Sequence, residues 1–203
     1  MDAIDVPTGT DLLDAYLPVY DVAITERLVV HNGTRQLFRA ARDLDFLSIR
    51  SPIVTASMFV RGLPARVGGK PPAKPAEFRL SHDGAGAPGW LYFGDVPDRE
   101  VAFGAVGRFW KPDIEWRDVP LSSFASFDEP GWGKIGCHFL VSPMADGRNV
   151  LTYECRTATT DELSRQSMAR YWSLIRPFVG HLMRATLRTI SDEAAGASPP
   201  GER

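Results

Sequence analysis

Three groups of residues have the types and spacing to do chemistry. The pair His138 and Glu154 sits on two neighbouring extended segments, and a carboxylate beside an imidazole can orient and charge it for acid–base work. The bland reading of the same pair is a solvated cross-strand contact on the convex side of a sheet. Cys137 and Cys155 form a second pair. They could act as a redox dithiol, but neither lies beside an obvious base or helix N-terminus, and buried free cysteine is commonly a small core residue. The third group is Arg108-Phe109-Trp110, at the end of the longest strand-like run. Arg108 there could hold a ligand carboxylate while the rings, Trp110 among them, cover an apolar body. The alternative is an exposed edge arginine stacked on Trp110. No set of His, Cys, Asp and Glu has metal-ligand spacing, so neither a metal nor a cofactor is expected.

The elements that must position these residues read as strand, helices, several strands, long helix. Residues 20–31 (YDVAITERLVVH) place Val22, Ile24, Leu28 and Val30 on one face of a first strand. Asn32-Gly33 then signals a turn, and Thr34 is the expected N-cap of a helix over Arg35–Asp43 carrying Leu37, Phe38 and Ala41. Ser51-Pro52 announces a second helix running to about Arg61. Its Ile53, Met58, Phe59 and Val60 would suit a mouth, a lid, a homodimer contact or burial under the linker at 68–75. Strands are expected near Glu77–His82, Trp90–Phe93, Glu100–Trp110, Ser122–Phe127, Lys134–Val141 and Arg148–Thr157. The short connections between them predict an antiparallel meander. Gly104 and Gly107 inside the longest strand would let it bend.

Side-chain parity fixes the register of the last hairpin. In both of its strands the odd positions are the more apolar, and a one-residue slip would mix the faces. Val141 therefore opposes Leu151, Phe139 opposes Tyr153, Cys137 opposes Cys155 and His138 opposes Glu154. The connection is a three-residue loop, Ala145-Asp146-Gly147, with glycine in the left-handed position.

Residues 161–190 repeat apolar side chains at i, i+3 and i+4, from Met168, Tyr171 and Trp172 through Ile175, Phe178, Val179 and Met183 to Ile190. Such a helix must dock on an apolar surface, and the concave face of the sheet is the large candidate. Pro177 removes one helical hydrogen bond and predicts a kink. The whole is expected as an N-terminal arm (1–18) with a short helix near Asp11–Tyr16, one domain (19–190) and a disordered tail (191–203).

Composition narrows the function classes. The chain has 203 residues, 44% of them apolar and 24% charged, with a formal net charge of −2. That balance gives no basic stripe for phosphates, so nucleic acid is not an expected partner. No apolar run is long enough to span a membrane. The acidic Met1–Asp14 has no secretory-signal pattern, which makes the cytoplasm the expected compartment and keeps both thiols reduced.

The segments ITERLVVHNGTRQLFRAARDL, VAFGAVGRFWKP, FDEPGWGKIGCHFLV with NVLTYECRT, and YWSLIRPFVGHLMRATL resemble, in their order, the START-like or polyketide-cyclase-like SRPBCC superfamily over residues 20–190. The resemblance implies an α+β helix-grip fold, in which a curved antiparallel sheet wraps a long C-terminal helix around an apolar cavity. It also implies a hydrophobic small-molecule ligand (lipid-, polyketide- or aromatic-like), or else a cyclase or dehydratase. A protein-interaction module is the third reading. The expected cavity lining is Phe103, Phe124, Phe139 and Tyr153 from the sheet, with Tyr171, Trp172, Ile175, Val179 and Met183 from the helix, and Arg108 and Trp110 at the rim. Filling of the core by the same residues is the alternative.

Overall fold

The computed structural model describes residues 10–46, 49 and 89–196. The helix expected over Ser51–Arg61 and the strand near Glu77–His82 lie outside them. In chain order the elements are α1 (Leu12–Tyr16), β1 (Val22–Val30), α2 (Thr34–Arg42), β2 (Trp90–Val96), β3 (Glu100–Arg108), β4 (Glu115–Trp116), α3 (Leu121–Phe124), β5 (Gly133–Pro143), β6 (Asn149–Thr159) and α4 (Glu162–Gly196). The class is α+β. An antiparallel sheet runs in the order β1-β6-β5-β3-β2, with β4 paired to the end of β3, and α4 packs along β1, β6 and α2. Among the described residues, no helix is long and apolar enough to cross a membrane.

The hairpin β5–β6 has the register that parity dictates: Val141 opposite Leu151, Phe139 opposite Tyr153, Cys137 opposite Cys155 and His138 opposite Glu154. Gly147 takes φ +83° in the turn, which closes through Met144 and Arg148. The concave face therefore carries Ile135, Cys137, Phe139 and Val141 beside Leu151, Tyr153 and Cys155. On the neighbouring strands, Val101 and Phe103 of β3 face Phe139 and Cys137, and Ile24 and Leu28 of β1 face Cys155 and Leu151.

The convex face is also covered. Leu12, Leu13, Tyr16 and Leu17 are buried there with Phe93, Ala102, Val106, Phe124, Trp132 and Ala158, forming a second apolar cluster. Two glycines of the central strands make room for what packs on this face. Gly104 and Gly136 are direct cross-strand partners and together leave a bare strip on this face. A Cβ at Gly136 would lie 2.7 Å from Leu13 Cδ1, and one at Gly104 would collide with the Phe93 ring. The strip is thus a socket for α1 and Phe93.

Four local expectations are corrected. The segment read as a strand near Ser122–Phe127 is the one-turn helix α3. Pro120 supplies its extended N-cap, the Ser123 N–H donates to the Pro120 carbonyl (2.9 Å), and Phe124 is drawn into the convex cluster. Serine-rich stretches satisfy their backbone locally, which undercuts a strand reading. Helix α2 begins at Thr34, with Gly33 as the N-cap, whose N–H donates to Gln36 Oε1 (3.0 Å). Strand β3 ends at Arg108, leaving Phe109 and Trp110 in the following turn. Helix α4 runs past Ile190 to Gly196, with Ala194 buried, so the polar end of the pattern still has an inward face.

Candidate functional site

Helix α4 is packed unevenly along its length, and that unevenness defines the site. At its start, Asp161 caps the helix: its carboxylate accepts from the Ser164 N–H (2.9 Å), the Ser164 hydroxyl (2.8 Å) and the Gly131 N–H. These hydrogen bonds lower the Asp161 pKa to about 2, the Ser164 amide contributing most. At its far end, the Ser191 carbonyl accepts from Asn32 Nδ2 (3.3 Å), and Asn149 Nδ2 donates to the Asn32 carbonyl (2.8 Å). The helix is thereby pinned at both ends of the sheet.

Between these pins the two halves differ. In the C-terminal half, Met183, Leu187, Ile190 and Ala194 are buried against Phe103, Phe139, Leu151 and Tyr153, together with Leu37, Phe38 and Ala41 of α2. Ring pairs fill this end: Phe139 and Tyr153 lie 4.5 Å apart, and Phe103 and Phe139 5.6 Å apart. In the N-terminal half Met168 is buried, but beyond it Tyr171, Trp172, Ile175 and Val179 are only half-buried, while Leu174 is 71% and Phe178 51% exposed.

Because α4 starts directly after β6, this half lies over the β6 end of the concave face, until Gly180 reaches Ile24 and Glu26 of β1. The sheet residues at that end, Ile24, Ile135 and Cys155, are half-buried too. Half-buried apolar side chains are thus found both on this end of the sheet and on the first half of α4, a region termed the seam. Arg184, bonded to Glu26, marks the side of the helix that faces β1.

The expected lining residues divide accordingly. Phe103, Phe139, Tyr153 and Met183 are brought together as solid packing at one end of the concave face. Tyr171, Trp172, Ile175 and Val179 are half-buried on the first half of α4, Val179 packing against the core of the concave face. Trp110 reaches the rim of the concave face, where a Cβ at Gly133 would touch its ring. Phe124 and Arg108 lie elsewhere. Phe124 is in the convex cluster, 4.6 Å from Phe93. Arg108 follows Ala102 and Val106 on the convex parity, stacks at 4.3 Å on Trp132 rather than Trp110, and donates to the Gly131 carbonyl (2.9 Å) and Glu115 (2.8 Å).

The acid–base pair is resolved differently from either reading of it. His138 does oppose Glu154, but it is 2% exposed, and its Nδ1 lies 2.6 Å from Glu100 Oε1. Glu100 is also buried and accepts from the Leu12 N–H (2.9 Å) and Leu13 N–H (3.5 Å) at the start of α1. Glu154 binds Arg156 instead (2.6 Å), and Arg156 in turn holds Asp14 of α1 (2.6 Å). The histidine therefore anchors α1 and does not face the seam. Glu100 was legible only as a strand residue, because its partner is diagonal in the β3–β5 register.

Two polar features remain on the concave face. Tyr92, opposite Phe103, donates its hydroxyl to Asp95, and burial raises its pKa so that it keeps its proton. Tyr153, Cys137 and Cys155 lie side by side on this face, and burial pushes Tyr153 and Cys137 well above their ordinary values. Among the described residues, no group of three or more His, Cys, Asp or Glu gathers as a metal-binding set.

No family model matches the chain, and no curated protein matches it. Among solved structures, the Mll3558 protein from Rhizobium loti is similar at 12% identity and TM-score 0.40, over 83% of this chain and 96% of that one. A protein from Arthrobacter aurescens matches at 9% identity and TM-score 0.40, over 89% and 92%. CalU16 from Micromonospora echinospora matches at 13% identity and TM-score 0.29, over 86% and 84%. Likenesses this distant bear on neither ligand nor reaction, and the chemistry of the seam rests on its own residues.

Proposed function

We propose that the protein binds a hydrophobic small molecule (lipid-, polyketide- or aromatic-like) in the seam between the first half of α4 and the β6 end of the concave face. One observation carries this reading: Ile24, Ile135 and Cys155 on the sheet and Trp172, Ile175 and Val179 on the helix stay half-buried, while the same two elements close completely further along. Half-covered apolar side chains on two opposed surfaces are stabilised by an apolar guest that completes their burial, at roughly 25 cal/mol per Å² removed from water. Trp172 adds a flat, polarisable surface with a polar edge, which suits a guest with aromatic rings. The catalytic alternative needs polar groups converging on the seam, and His138, the best candidate for one, is committed to Glu100 on the other face.

The test is titration with anilinonaphthalene sulfonate, an apolar fluorescent probe, in the native protein and in Ile175→Asp. The native protein is expected to bind it with part of its tryptophan emission quenched. The variant should bind at least about tenfold more weakly, equivalent to about 1.4 kcal/mol. Equal binding by both, with the variant folded by circular dichroism, would overturn the proposal.

A further inference from the structure

We infer that Cys155 and Cys137 form a dithiol that reacts with small disulfides, Cys155 attacking first and Cys137 resolving the adduct into a cross-strand disulfide. This stands independently of the ligand reading, since it needs only the two thiols and access to one of them.

The geometry is set by the sheet. Cys137 on β5 and Cys155 on β6 are direct partners in the antiparallel register, and both project from the concave face. Directly opposed antiparallel residues have Cα atoms about 4.5 or 5.5 Å apart, inside the range of about 4.4–6.8 Å that disulfides span. As direct partners on one face of a paired hairpin the two residues are already neighbours, so no strand has to change its register to bring them together. Both are free.

The two thiols differ in access. Cys137 is buried, with the Tyr153 hydroxyl beside it, whereas Cys155 is half-buried at the edge of the seam next to Ile24. A small disulfide RSSR can reach Cys155 first. The Cys155 thiolate attacks one sulfur, the RS–SR bond breaks, and one RS⁻ leaves and takes up the proton lost by Cys155. Cys137 then loses its proton and attacks Cys155 Sγ, expelling the second thiol. Overall, two protein thiols are oxidised to one disulfide and one RSSR is reduced to two RSH. The order of attack follows from exposure, because access as well as thiolate content controls the rate.

The experiment exposes the folded protein and its single-cysteine variants to hydroxyethyl disulfide and reads intact mass and peptide maps. The native protein should lose two hydrogens and yield a linked Cys137–Cys155 peptide, with no dimer on a non-reducing gel. Cys137→Ser should stop at a stable mercaptoethanol mixed disulfide on Cys155. Cys155→Ser should label at least about tenfold more slowly, since Cys137 is enclosed. Native protein that stays reduced, or that links between chains, would overturn the inference. So would equal labelling rates in the two variants, each checked for its fold by circular dichroism. Probe binding in the seam is a separate readout and can succeed or fail without affecting this one.

Discussion

Glu100 concentrates three interactions in one buried carboxylate: two amides at the start of α1 and the His138 imidazole. A buried charge is tolerated when each lone pair has a partner, and breaking such a set leaves the remaining groups unsatisfied. Glu100→Ala should therefore lower stability by about 3–5 kcal/mol, measured by urea denaturation followed by far-UV circular dichroism. A loss well under about 1 kcal/mol would show that the pair is not holding α1. At this scale the sequence was partly legible. Parity placed Phe139 against Tyr153 and Cys137 against Cys155, because the apolar residues of that hairpin alternate cleanly. It placed His138 on the convex side as well, but it could not supply Glu100, whose diagonal contact depends on a β3–β5 register that no alternation fixes.

Among the elements, α4 owes its start to Asp161. The cap lowers the Asp161 pKa to about 2, below the ordinary value of about 3.9. A depressed folded-state pKa contributes stability that is present above about pH 4 and is lost as the pH falls towards 2. Thermal unfolding followed from pH 7 to pH 2 should therefore show the native protein more stable than Asp161→Asn at neutral pH, with the gap closing between about pH 4 and pH 2. A gap that stays constant across that range would contradict the cap's role. The helix was legible as one element through Pro177, from the regular spacing of its apolar residues. That spacing marks which face turns inward and says nothing of what lies opposite, so the exposure of Phe178 and the partial cover of Trp172 and Ile175 were not readable. Helix α3 was misread because Pro120 and the serines favour a local turn over a strand.

At the scale of the molecule, the finding beyond the sequence is that, among the described residues, both faces of the sheet are covered and the cover is less complete at one end of one of them. A short helix near Asp11–Tyr16 was expected, but the destination of its leucines depends on the bare strip made by Gly104 and Gly136, two glycines that meet only once β3 and β5 are paired. With the convex side covered by α1 and the far end of the concave side packed with rings, the half-buried apolar residues near the first half of α4 are where the proposed guest would bind. The isoleucines report on this directly. Ile24, Ile135 and Ile175 are half-buried at the seam, whereas Ile190 is buried in the closed end. Methyl-labelled isoleucine spectra recorded during titration with anilinonaphthalene sulfonate should show the Ile24, Ile135 and Ile175 signals moving together and saturably, with Ile190 unchanged. Saturable shifts that leave those three in place, or none at all, would contradict a binding seam.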